Sequence, residues 1–280
     1  MSALHLNVRP DGVAVLTFDQ PGSKANVLTA DLWTEFEAAL DSLALRTDVK
    51  GLVLASAKPG IFIAGADLNL LANAPGPNDL AVRGFIEQGL RVLAKLEALP
   101  FPTCAAIDGA ALGGGLEVAL ACDVRIPGDN PKVRLGLPEV SLGLIPGWGG
   151  TQRLPRIVGT ERAADMLTTG RPLNAGGAAA CGLVSQVTPS AELTEAAAQS
   201  TGSPLGSDAR ARKVGAVQGG GVFSPVRHTG AAAEAVRVMV EGAALPLKQA
   251  IAVETEAFLR LAGSDESKRL IAAFFASRKK

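Results

Sequence analysis

The sequence predicts an α/β protein that ends in a purely helical region. Short apolar, β-branched runs alternate with amphipathic helical periodicity as far as Val187. From Ala231 onward only helical periodicity remains. A hydrophobic fraction of 48% with 32 glycines fits a compact fold with many close backbone approaches. Residues 1–200 read as the α/β core, 201–230 as a loop or hinge rich in Gly, Ser, Pro and Arg, and 231–280 as the helical C-terminal region. No internal repeat is visible.

Leu4 to Val8 and Val13 to Phe18 flank the turn Pro10-Asp11-Gly12 and predict a β-hairpin. Thr29 or Asp31 caps a helix reaching Leu45, with Leu32, Phe36, Leu40 and Leu43 on one face. Gly51 to Ala55 is a short apolar strand. Lys58-Pro59-Gly60 turns the chain into Ile61 to Leu68, an apolar run that closes in small residues and an Asp. That run reads either as a strand ending in a tight turn or as a loop whose amides face a ligand.

A helix from Asp79 to Leu99 is stopped by Pro100 and Pro102. Thr103 to Ile107 is a buried strand, and Gly115 to Cys122 a buried helix with Gly113 and Gly114 at its start. Val124 to Ile126 and Val133 to Leu135 read as strands. Gly136 to Gly150 carries too many Gly and Pro for a regular element and reads as a loop-rich wall. Glu161 to Thr169 is helical, Asn174 caps a helix ending at Gly182, Leu183 to Val187 is a strand, and Ser190 to Gln199 is helical. Helices over Ala231–Gly242, Pro246–Leu261 and Asp265–Arg278 close the chain, with Phe274 and Phe275 packing on the core or on a neighbouring subunit.

Lys+Arg and Asp+Glu both number 27, so no basic surplus points to nucleic acid or to an anionic membrane. No uncharged apolar run has the length of a membrane span, and the N-terminus lacks a signal pattern, so a cytoplasmic protein is expected. Cys104, Cys122 and Cys181 are an odd, widely spaced set in apolar surroundings, expected as free buried thiols and not as a metal site. The two histidines, His5 and His228, lie far from the central glycine-rich stretch, and Tyr is absent. Catalysis, if present, falls to carboxylates and backbone amides.

The segment Cys104–Arg153 holds the features that can carry such chemistry. Gly113-Gly114-Gly115 precedes Leu116-Glu117, and Leu137-Pro138-Glu139 follows. The first amides of a helix lack internal partners and suit an anion or a developing oxyanion. Glycines there also simply permit tight packing. Each Glu sits among apolar neighbours, where an isolated charge is costly, so the two suggest a paired acid/base site.

Three stretches carry a resemblance: FIAGADL at Phe62–Leu68, AAIDGAALGGGLEVALACD at Ala105–Asp123, and LGLPEVSLGLIPGWGGTQRLPRIVG at Leu135–Gly159. They resemble the crotonase (enoyl-CoA hydratase/isomerase) superfamily, and TGRPLNAGGAAACGLVSQV at Thr169–Val187 extends the match. The two ends of the sequence look like the hydratase part of multifunctional fatty-acid oxidation enzymes. The resemblance implies a spiral of ββα units with a helical C-terminal trimerisation region, hence a homotrimer or a dimer of trimers. It implies an acyl-CoA substrate, with coenzyme A entering as part of that substrate and no separate cofactor or metal.

By the same resemblance, the amides of Ala66 and Gly114 form the oxyanion hole, Glu117 orients and activates water, and Glu139 handles the C2 proton. Ala64, Gly65, Asp67, Leu68, Gly113, Pro138 and Gly147 line the substrate site, with Lys24 near the CoA phosphates and Trp148 narrowing the acyl pocket or packing on the loop. The implied reaction is hydration of trans-2-enoyl-CoA in β-oxidation. Alternatives are Δ3-Δ2 isomerisation, thioester hydrolysis or another crotonase-type reaction, and a non-catalytic acyl-CoA-binding subunit. A dinucleotide-binding dehydrogenase is set aside because the triple glycine lacks the dinucleotide-loop spacing.

Overall fold

The computed structural model describes residues 2–203, 206 and 229–278. The expected hinge over 201–230 and His228 thus fall almost wholly outside the described residues. The chain opens with the hairpin β1 (Leu4–Val8) and β2 (Val13–Phe18), paired antiparallel, followed by α1 (Ala30–Ala44). Thr29 is the cap: its hydroxyl accepts from the Leu32 amide at 3.1 Å. Leu32, Trp33, Phe36, Leu40 and Leu43 bury one face of α1.

Strands then come in pairs: β3 (Gly51–Ser56) and β4 (Gly60–Ile63), β5 (Thr103–Ile107) and β6 (Gly109–Leu112), β7 (Val124–Pro127) and β8 (Arg134–Gly136). The first of each pair joins a five-stranded sheet ordered β1-β2-β3-β5-β7, and the second a three-stranded sheet ordered β4-β6-β8. Among the described residues every strand-to-strand pairing after the hairpin is parallel, and one isolated antiparallel bridge joins Leu135 to Leu173. Helices follow each pair: α2 (Leu68–Ala72) and α3 (Leu80–Ala98), then α4 (Gly114–Ala121), then a 3-10 turn over Pro138–Leu142 and α5 (Gly150–Val158). This is the ββα spiral, a repeat of geometry that leaves no repeat in the sequence.

The inner strands β3 and β5 of the larger sheet are covered on both faces, so they are almost continuously apolar. Leu52, Leu54, Ala105 and Ile107 face the main core. Val53, Cys104, Ala106, Val124 and Ile126 face Ala197 and Ala198 of α8 (Leu193–Thr201). The remaining helices are α6 (Thr160–Thr169), α7 (Ala175–Ala180), α9 (Gly230–Gly242), α10 (Leu247–Leu261) and α11 (Asp265–Ser277). Asp79, Asn174 and Ser264 cap α3, α7 and α11 through their side chains.

Three readings are corrected. Leu183–Val187 is not a strand. Arg125, buried on β7, takes the Leu183 carbonyl with its guanidinium Nε at 2.8 Å, and Pro127 has no amide to offer the ladder. What remains is a Ser185 amide donating to Arg125 O and an isolated bridge between Gly128 and Thr188. The loop-rich wall Gly136–Gly150 contains the 3-10 turn, and at its end α5 begins, despite Gly149-Gly150 and an internal Pro155. Gly149 supplies the left-handed residue (φ 94°) from which α5 starts. Cys181 is only half-buried, unlike Cys104 and Cys122; all three are free thiols.

Candidate active site

The site gathers at the ends of the three short parallel strands. Ala64-Gly65-Ala66 follows β4, Gly113-Gly114 follows β6, and Pro138-Glu139 follows β8. All seven line one cavity of about 250 Å³, together with Leu68, Glu117, Gly147 and Trp148. The Gly113 amide donates to Gly136 O at 2.9 Å, which ties the glycine turn to the end of β8. Gly114 is the first residue of α4, so its N–H stands outside the intrahelical ladder. Leu28 takes the carbonyl of Gly65 and the amide of Asp67, flanking Ala66 and fixing its peptide.

Glu117 lies one turn into α4 and is 1% exposed. Its Oε1 accepts two amides, from Trp148 at 2.7 Å and Gly150 at 2.8 Å. Glu139, on the 3-10 turn, keeps part of its surface open to the cavity, while its Oε2 is buried without a hydrogen-bond partner among the described residues. The turn that serves Glu117 also serves a third carboxylate. Glu254 of α10, 0% exposed, accepts the amides of Gly149 and Thr151 and the Thr151 hydroxyl. Arg153 reaches back from α5 to the Trp148 carbonyl at 2.6 Å and pairs with Glu97 at 2.8 Å.

Burial, more than any neighbour, governs how these groups ionise. Loss of solvent raises Glu117 well above the ordinary glutamate range, reinforced by the charges of Glu254 and then Glu139, against the pull of the two amides. Burial lifts Glu139 to about 8 and Glu254 to about 7. Three such groups do not all carry charge at neutral pH. The cavity lining therefore includes two carboxyls whose proton affinity burial raises, Glu117 and Glu139, together with the Ala66 and Gly114 peptides.

Trp148 lines the cavity and is held there by aromatic neighbours. Its indole stands edge-on to Trp33 and Phe85, at centroid distances of 5.1 and 5.3 Å, and donates to Ile86 O at 3.1 Å. A Cβ at Gly114 would sit 2.4 Å from the indole ring, and one at Gly89 2.3 Å, so both glycines are required for Trp148 to lie where it does. Trp148 thus lines the cavity and packs on α1 and α3.

Two expected residues stand apart. Lys24 is exposed and does not line the cavity, and the Asp67 carboxylate turns to Asn69, capping α2. Several lining residues escaped the sequence reading: Leu71 on α2, Phe258 on α10, and Phe274 with Arg278 at the end of α11, where the guanidinium sits 4.5 Å from the ring centroid. Glu254 is the notable omission. Its signal was present: it lies four residues from both Ala250 and Phe258, on the buried stripe of an otherwise amphipathic helix.

The family model for enoyl-CoA hydratase/isomerase matches residues 9–209. A Geobacillus kaustophilus protein described as an enoyl-CoA hydratase is similar at 33% identity over 99% of this chain and 95% of that one, with a TM-score of 0.66. DspI of Pseudomonas aeruginosa is 32% identical over 75% of this chain and 84% of its own, also at 0.66. Human mitochondrial Δ3-Δ2-enoyl-CoA isomerase, at 24% identity over 99% and 98%, has a TM-score of 0.77 and shares the fold. From the motifs, the spiral and these matches, the chain belongs to the enoyl-CoA hydratase/isomerase family of the crotonase superfamily.

Proposed function

We propose that the protein is a trans-2-enoyl-CoA hydratase of fatty-acid β-oxidation. The observation that carries this reading is the pairing of two carboxyls from different elements, Glu117 and Glu139, on a cavity that also holds the Ala66 and Gly114 peptides. The thioester oxygen would accept both amides. Water held by Glu117 attacks C3, and a C–O bond forms as the π electrons move onto the thioester oxygen, where the amides stabilise the enolate. The water's proton passes to Glu117, whose anion is favoured by its two amide donors. Glu139, without a donor on Oε2, is the better proton carrier and delivers its proton to C2 as the carbonyl re-forms. Proton exchange with solvent resets the pair.

The test follows loss of the enoyl-thioester absorbance with crotonyl-CoA and a longer trans-2-enoyl-CoA. Wild type should hydrate at least one of them, with Glu117→Gln and Glu139→Gln each slower by about 10²–10⁴-fold. Binding without hydration by wild type sinks the hydratase reading and moves the search to isomerisation, hydrolysis or a binding role. Light scattering checks the expected homotrimer or dimer of trimers.

A further inference from the structure

The turn Trp148–Thr151 distributes its four successive amides alternately. Trp148 and Gly150 donate to Glu117, and Gly149 and Thr151 donate to Glu254. Those of Gly149, Gly150 and Thr151 belong to the unpartnered N–H groups at the start of α5, and that of Trp148 comes just before its cap; two carboxyls share them alternately. Gly149 holds a φ of 94°, and a Cβ at Gly150 would stand 2.7 Å from Pro146 Cβ and 3.0 Å from Glu117 Oε1, so the turn favours glycine at both positions. We propose that Glu254 is a positioning residue for Glu117: by gripping the alternate amides it fixes the turn that orients Glu117, and its charge sets when Glu117 can hold a proton. This rests on Glu117 serving as the water-activating group proposed above.

Glu254 does not touch the cavity; its influence runs through the backbone and through space. The charged groups around it are few. Glu117 on α4 and Glu139 on the 3-10 turn oppose its ionisation, and Arg153 on α5, itself paired with Glu97 on α3, favours it. On the other faces of α10, Glu256 pairs with Arg83 and Arg260 with Glu234, all toward solvent. No cation contacts the Glu254 carboxylate among the described residues, so amides and one hydroxyl carry its charge. Two carboxyls on one run of four amides compete for the same positive ends. Removing the charge at Glu254 leaves Glu117 the sole anion on the turn.

The experiment uses the full chain, wild type beside Glu254→Gln and Thr151→Ala. Carboxyl titrations are followed by NMR with carbon-13-labelled glutamate, the Glu117 signal being assigned by its loss in Glu117→Gln. Glu254→Gln keeps the side-chain volume and an accepting oxygen but no charge, and Thr151→Ala removes one donor to Glu254 while both amides stay. In Glu254→Gln the Glu117 midpoint should fall by about one pH unit or more. The acid limb of kcat/KM with an enoyl-CoA should move with it, KM staying near wild type. Thr151→Ala should shift the Glu117 midpoint in the same direction by less. A folded Glu254→Gln whose Glu117 midpoint and acid limb match wild type would overturn the proposal, leaving Glu254 a helix cap. If Glu254→Gln does not fold, an unmoved Glu117 midpoint in Thr151→Ala does the same. Should wild type hydrate no enoyl-CoA, the functional reading fails while the titration still decides the coupling.

Discussion

Replacing Glu139 by Gln should make the protein harder to melt at high pH while impairing its chemistry. An unfolded glutamate loses its proton near 4.5, whereas folded Glu139 holds its proton to about 8 because burial disfavours the anion. Between those values the folded state binds more protons than the unfolded one, so its stability falls as pH rises through that window. With each pH step worth about 1.4 kcal/mol, full burial sets an upper bound of about 5 kcal/mol. Glu139 keeps part of its surface on the cavity, so about 2 kcal/mol is the working figure. In a chain of this size that corresponds to ~4 °C in melting temperature. Glu139→Gln has no such loss. Thermal unfolding by circular dichroism should therefore give matching midpoints at pH 5 and a mutant about 4 °C higher at pH 8.5. Equal offsets at the two pH values would refute the reasoning, since they would trace the change to packing and not to ionisation.

Other expectations concern the pocket and its frame. Gly114→Ala places a methyl 2.4 Å from the Trp148 ring and 2.9 Å from Leu28, so affinity for any acyl-CoA, read by calorimetry, should drop at least tenfold as the indole is displaced. Trp148→Ala should cost about 3–5 kcal/mol in denaturant unfolding. The same change should move the preferred enoyl chain toward longer lengths in a competition assay, because removing an indole that lines the cavity enlarges it. Arg125→Met leaves the carbonyls of Leu183 and Cys122 without the guanidinium that takes each at 2.8 Å, and chemical denaturation should register a loss of about 3 kcal/mol or more.

The site was legible wherever chemistry is written as a local motif. The triple glycine, Glu117 and Pro138-Glu139 could be singled out because each sits in a short run, and the family resemblance of those runs favoured a site over glycines that merely permit tight packing. Glu254 could not, because its partners are backbone amides a hundred residues away in sequence. Nothing in AVETEAFL distinguishes a carboxylate that faces amides from one that faces water, except its place on the buried stripe. Most strands were legible, but β6 (Gly109–Leu112), made of small residues with no β-branched side chain, was not read, and Leu183–Val187 was read as a strand although a buried arginine on β7 takes the carbonyl a ladder would need. The sorting of strands into two sheets was not, since it depends on which parallel edge each strand finds. Helix α5 was hidden by its own glycines, which start the helix and at the same time offer their amides to the carboxylates.

That sorting has a consequence for how such a protein can change. The Ala66 peptide, the Gly114 peptide and Glu139 each stand on a different winding of the spiral, just past the rim of the small sheet. The rim holds their spacing through strand register, while everything between one winding and the next travels around the outside. Extra helix, such as α3 between the first and second, can be added there without altering the distance between reacting groups. The fold thus separates the part that must keep its dimensions from the part that is free to vary, and a new substrate can be accommodated by rebuilding one winding while the other two stay as they are.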